Sequence, residues 1–206
     1  MILKHNGKSP VIDPSCRIAP NATICGDVTL GANCSVGFGA VITAESGAVI
    51  IEENTVIMDT AVIRGVRDNP VWIGRNVLVG PRAYLTGCSI SDDVFLATGC
   101  SVFNGAKIEA QCEVRVNAIV HLRTKLERGT VVPLGWIAVG NPARILPPEE
   151  HDTIWEIQKP LNFPNYVFGV KRPQEGETIM PDVMPRYAAA LKRWHDLDVE
   201  DTQHQA

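Results

Sequence analysis

The sequence predicts an all-β fold: a parallel β-helix of hexapeptide repeats, about seven coils long, followed by C-terminal α-helices. Three observations predict it. An aliphatic residue returns every six positions from Ile12 to Val132. The residue four places after most of them is small. A period of six fits neither the 3.6-residue turn of a helix nor the two-residue alternation of a strand.

The series opens Ile12, Ile18, Ile24, Leu30, Val36, Ile42 and resumes at Ile51, Ile57, Ile63, then Ile73, Val79, Leu85. It continues Ile90, Leu96, Val102, Ile108, Val114, Val120, Leu126, Val132. The small positions include Cys16, Ala22, Cys34, Ala40, Thr55, Ala61, Ala83, Cys100, Ala106, Cys112, Ala118 and Thr124. Period six suits short strands joined by tight turns. Three hexads close one triangular coil, and stacked coils pair their strands at roughly 4.8 Å. The large and the small residue of each hexad both point inward, the small one where the corners converge. The periodicity sets residues 10–146 apart as the β-helix.

The breaks in the series carry information. Residues 43–50 form one insertion and 65–72 a second, and the hexad at Leu85 is one residue short. Loops that interrupt a rigid scaffold are where function tends to sit.

Residues 147–206 form a helical extension, expected to pack on the β-helix or on a neighbouring subunit. Pro147 to Gln158 reads as a short helix, with Pro near its start and acids in its first turn. Residues 159–184 hold many Pro and Gly and are expected to run over the surface. From Pro185, the positions Tyr187, Ala190, Leu191, Trp194 and Leu197 follow helical spacing. Val199 to Ala206 are expected to fray.

Composition narrows the function. The chain has 206 residues, 45% of them hydrophobic, with 19 Lys and Arg against 23 Asp and Glu and a net charge of −4. A mildly acidic chain without a basic cluster argues against nucleic acid as a partner. No apolar run approaches the ~18–20 residues that span a bilayer, so no membrane partner is expected. The first residues lack a signal-peptide core, and a cytoplasmic location is the expectation.

Of the six cysteines, Cys16, Cys34, Cys100 and Cys112 take the small inward slot, where a free thiol packs as a small hydrophobe. Cys25 and Cys88 fall outside it. No Cys-x-x-Cys or Cys/His finger spacing exists, so no structural zinc site and no disulfides are expected. His121 is the only one of five histidines within the coils.

The insertion at 43–50, the loop at 65–72, the short hexad Leu85-Thr-Gly-Cys-Ser and the run Phe103-Asn-Gly-Ala106 occur in one order. They lead to the exit motif Ile137-Ala-Val-Gly-Asn-Pro-Ala-Arg-Ile-Leu146. In these features the chain resembles the γ-class carbonic anhydrases over about residues 10–146. The exit motif also looks like that of hexapeptide acyltransferases. The resemblance implies a left-handed coil and a homotrimer with sites in the clefts between subunits. It further implies zinc on three histidines from two subunits. The matching positions here hold Arg64, Pro81 and Thr86, none a plausible zinc ligand. The family's Arg-Gly-Asp segment stands as Thr43-Ala-Glu45, and its Gln-Asp pair as Met58-Asp59. Zinc lowers the pKa of bound water to about 7. With the ligands replaced, no metal and no CO2 hydration are expected.

The hexad register places Cys25, Thr43, Arg64, Thr86, Phe103 and His121 in one column, about 5 Å per coil. Three functions remain open. The first is a small organic-anion site, or a zinc-free catalytic site, at the trimer interface. Arg64 would grip the anion, Thr43, Thr86 and Asn104 would add neutral hydrogen-bonding groups, and Asp59 or Glu45 would orient Arg64. No cofactor is expected there. The second is acyl transfer from a CoA thioester. His121 would be the general base, and Arg123, Lys125 and Arg128 would meet the CoA phosphates. The third is a non-catalytic trimeric scaffold subunit.

Overall fold

A computed structural model of the chain describes residues 1–66 and 68–200. The hexads form three walls of parallel strands. One wall is a seven-stranded sheet running from Arg17–Ile18 to Val131–Val132, with Val36, Ile57, Val79, Leu96 and Val114 stacked in register between. The other two walls join into a single fifteen-stranded sheet. They join because Thr23–Leu30 and Val41–Ile51 each pass a corner as one continuous strand.

Why the repeat closes into a coil is visible in its side chains. Ile24, Ile42, Ile63, Leu85, Val102 and Val120 are fully buried and stack on one another down one wall. The small slots are buried beside them. Thr55 keeps its hydroxyl satisfied there, donating to the Gly74 carbonyl at 2.8 Å and accepting from the Val77 N–H at 3.2 Å. One corner repeats a left-handed backbone at Asn33, Asn54, Asn76 and Asp93. Asn and Asp tolerate that conformation better than other side chains. They also bridge coils, as Asn76 does by donating to Asp93 at 3.0 Å.

Two local expectations change. Cys88 is not outside the small slot. It lies two residues before Ile90, as Ala106 lies before Ile108, and is buried in the core. Shortening the hexad at Gly87, which adopts φ +51°, moves it inward. Residues 43–50 do not leave the coil as a loop. They belong to the eleven-residue strand Val41–Ile51, and a register shift opposite Gly26 and Val28 takes up the extra length. Its Gly47 packs backbone to backbone against Gly65 and Val66, the start of the second insertion. In that second insertion, Arg67 lies outside the described residues, and Val66 and Asn69 exchange backbone hydrogen bonds across the turn.

The C-terminal region holds more regular structure than its Pro and Gly content suggests. Helix α1 spans His151–Gln158, α2 Phe163–Phe168 and α3 Met180–His195. Helix α3 therefore starts five residues before Pro185. Pro181 falls in the first turn, where its missing N–H costs nothing. Asp198–Glu200 do not fray: they form a strand antiparallel to Ile2–His5. Residues 201–206 lie outside the described residues.

Candidate functional site

The outward column on the wall of Ile63 has the anticipated register. Cys25 pairs with Thr43, Thr43 with Arg64 and Arg64 with Thr86, and Phe103 and His121 follow Val102 and Val120. The alternation of a strand explains this arrangement. Ile63 points into the core, so Arg64 points out.

Arg64 is half-buried in a network. Its Nε donates to Oε1 of Glu45 at 2.7 Å, and its Nη2 is ion-paired with the same oxygen at 2.5 Å. Its Nη1 donates to the Tyr84 hydroxyl at 3.2 Å. Burial disfavours the charge. The Tyr187 hydroxyl of α3, the attraction of Glu45 and the Tyr84 hydroxyl outweigh burial and hold Arg64 firmly protonated. Glu45 is delivered by the first insertion, locked in place by the contact between Gly47 and Gly65.

The other site candidates divide. Thr43 lies beside Glu45 in a cleft of about 90 Å³ roofed by Leu191, Trp194 and His195. Thr86 is buried next to Arg64 in register. Asp59 does not orient Arg64. Its carboxylate accepts the Phe38 N–H at 2.7 Å, at the corner that precedes the wall. Asn104 sits in the turn after Phe103, where its carbonyl accepts the Arg123 N–H. Sequence reasoning missed Tyr84 and Tyr187. Tyr84 was legible as an outward residue on the strand adjacent to that of Arg64, two residues before Thr86; Tyr187 appeared only as part of a helical stripe.

His121 stands three strand steps from Arg64, roughly 14 Å away. Its ring packs on Phe103 at 6.3 Å between centroids, and Phe103 on Tyr84 at 6.1 Å. Its Nδ1 is buried and has no hydrogen-bond partner among the described residues. A general base is normally oriented through its second nitrogen. The cations around it are engaged. Arg123 lies 4.3 Å over the Tyr166 ring, and Lys125 pairs with Glu109 and Glu127 at 2.9 Å. Arg128 donates to Gln111 at 3.1 Å.

Burial lowers the His121 pKa. The sign of the resulting pH dependence follows. Above about pH 6.5 the ring is neutral in the folded and unfolded chain alike. As pH falls below that, the unfolded chain takes the proton first, and stability declines until the folded ring also titrates. Between pH 7.5 and 5.5 the wild type should lose more thermal stability than His121→Phe, measured by calorimetry. Equal losses would show that the ring is not held neutral.

The three positions where the resemblance places zinc-binding histidines hold Arg64, Pro81 and Thr86. Arg64 is bound to Glu45 and offers only protonated nitrogens, and Pro81 has no donor atom in its side chain. These positions do not fit a three-histidine zinc.

The comparisons follow the same lines. Residues 9–44 match the bacterial transferase hexapeptide (six repeats), and residues 70–104 the hexapeptide repeat of succinyl-transferase. Gamma carbonic anhydrase 1, mitochondrial, of Arabidopsis thaliana is 28% identical over 94% of this chain and 70% of its own length. Gamma carbonic anhydrase 2, mitochondrial, from the same plant is 30% identical over 68% of this chain, which spans half of that relative. The crystal structure of a hexapeptide transferase family protein from Anaplasma phagocytophilum superposes with a TM-score of 0.54. It is 28% identical, over 78% of this chain and 91% of that one. Among the described residues no helix is long and apolar enough to cross a membrane. Repeat, stacked parallel walls and relatives agree: the chain is a γ-carbonic-anhydrase-like hexapeptide-repeat protein.

Proposed function

We propose that the chain assembles as a homotrimer and binds a small organic anion at Arg64, in a cleft next to a subunit interface. One observation carries this reading. Arg64 is a half-buried permanent cation whose Nε and Nη2 share a single carboxylate oxygen. A matched pair would give each nitrogen its own oxygen. A ligand carboxylate or phosphate supplies the second oxygen that Glu45 Oε1 does not. The Tyr84 and Tyr187 hydroxyls beside the guanidinium add neutral groups to the same site. The Phe103 ring, two coils from Arg64 and packed on Tyr84, gives an organic body an apolar surface. The likeness to γ-carbonic anhydrases supports the trimer.

The test is a thermal-shift panel of small carboxylates, phosphates, bicarbonate and acyl-CoAs on wild type and Arg64→Ala, with light scattering to read the assembly. A ligand at 100 times its dissociation constant adds about 2.7 kcal/mol. That amounts to several degrees for a chain of this size. One anion class should stabilise the wild type and fail to stabilise Arg64→Ala, with both proteins trimeric. If Arg64→Ala keeps every ligand response, the site is elsewhere. A response confined to CoA esters that survives the substitution would favour acyl transfer at His121.

A further inference from the structure

The same wall carries a second cluster, two strands from Arg64 and built from residues that the anion reading does not use. Strand Ile2–His5 pairs in parallel with Thr23–Leu30, setting Leu3 opposite Cys25. It pairs antiparallel with Asp198–Glu200, setting His5 opposite Asp198. Residues two apart on a strand share a face, so His5 projects from the same side as Leu3 and Cys25. Three distant segments therefore deliver an imidazole, a thiol and a carboxylate to one point. Their donor atoms lie within 4.8 Å of one another. His5 Nδ1 is 2.6 Å from Asp198 Oδ1, and the Cys25 thiol donates to that same oxygen at 3.6 Å. His195, at the end of α3, sits 3.2 Å from the other oxygen, Oδ2. His5 and Cys25 are each 8% exposed. The cleft roofed by Leu191 and Trp194 opens onto the group.

We propose that His5, Cys25 and Asp198 bind one zinc-class divalent transition ion, with the cleft as its open coordination position and His195 orienting the carboxylate. The site differs in position and donor set from the three-histidine positions now held by Arg64, Pro81 and Thr86. It stands independently of the anion reading.

The geometry favours an ion over a nucleophile. In a Cys–His–Asp catalytic arrangement the imidazole stands between thiol and carboxylate. Here one carboxylate oxygen touches both of the other groups. Donors on metal bonds of about 2.0–2.3 Å sit roughly 3.3–3.8 Å apart in a tetrahedral site. The present spacing reaches that with small side-chain movements. A nitrogen, sulfur and oxygen set selects zinc or cobalt over magnesium or calcium, which take oxygen ligands. Binding forms a metal–sulfur bond and releases the thiol proton to solvent, with no change of oxidation state. The ion would also offset the negative charges of Asp198 and Glu45, which both line the cleft.

The full chain, stripped with chelator, should be titrated with Co2+ and then with Zn2+ in competition. The wild type should develop thiolate-to-cobalt charge-transfer absorption at one ion per chain. Cys25→Ser should lose that absorption, and both Cys25→Ser and Asp198→Asn should bind zinc at least tenfold more weakly. Replacing even an outer partner of a metal ligand typically costs about 10–100-fold. Arg64→Ala should keep the absorption, which separates this site from the anion site. Circular dichroism checks folding. If Cys25→Ser does not fold, Asp198→Asn on the edge strand decides the matter. Absorption absent in wild type, absorption undiminished in Cys25→Ser, or unchanged zinc affinity in Asp198→Asn would each overturn the proposal.

Discussion

Gly65→Ala should destabilise the chain by about 3 kcal/mol, the top of the range for overpacking, and should abolish anion binding as well. The reason is space. A Cβ on Gly65 would stand 2.1 Å from the Gly47 carbonyl oxygen and 2.8 Å from that of Ala48. Both obstacles are backbone and cannot rotate aside. The reverse contact is as tight, since a Cβ on Gly47 would meet the Val66 carbonyl oxygen at 2.3 Å. The two insertions must therefore separate to admit one methyl group. Gly65 directly follows Arg64, and Gly47 lies two residues after Glu45. Separation thus acts on the pair that forms the candidate site. Thermal unfolding should show a fall of roughly 6–12 °C. The anion panel should lose its response even at temperatures where the variant is folded. A variant as stable as wild type would mean that the insertions do not bear on one another as described. A destabilised variant that still binds anions would mean that their packing does not set the Arg64 geometry.

The coil and the site were legible to different degrees, for a physical reason. The hexad is a local code. Every sixth side chain is aliphatic because each short strand must bury one, and that spacing also sets which residues share a wall. The column from Cys25 to His121 follows from it by counting. Glu45 as the partner of Arg64 was within reach for the same reason, since the insertion that carries it breaks the count at a known place. Asp59 was closer in sequence, but it lies at a corner, where a carboxylate is taken by a backbone N–H of the preceding coil. Corners follow turn chemistry rather than the period.

Contacts between remote segments left no such trace. His5 and Asp198 are 193 residues apart, and their meeting depends on a short strand pairing at the sheet edge. Three residues of alternating character are too few to announce a strand, and Val199 to Ala206 read as a frayed end. The thiol at position 25 was correctly outside the inward slot. What it faces is decided by where the tail docks. Helix α3 was recognisable by its stripe, yet its start was misplaced because Pro185 reads as a boundary when Pro181 already serves that role. Local periodicity places the scaffold, whereas the chemistry at its edge is assembled by tertiary docking.

Ile63→Ala should cost about 2–5 kcal/mol, the range for emptying a buried aliphatic site. Ile63 is fully buried and stacked between Ile42 and Leu85 in the coils below and above. A solenoid is held by nearest-neighbour contacts, so the loss should remain local. Amide exchange should accelerate most in the strands Val41–Ile51, Val62–Gly65 and Tyr84–Thr86, and least in Lys125–Leu126 and Val131–Val132 at the far end. Arg64→Ala, one residue away on the same strand, provides the contrast. Its side chain faces outward, so its principal effect should fall on ligand response rather than on exchange in the core. Measuring both variants by hydrogen exchange and by the anion panel separates scaffold from site at adjacent positions. Should Ile63→Ala loosen all coils equally, the chain would unfold as one cooperative block, and the nearest-neighbour account of its stability would fail. Should Arg64→Ala loosen the three named strands as much as Ile63→Ala does, the Arg64–Glu45 pair would be part of the scaffold, and its place in a binding site would have to be given up.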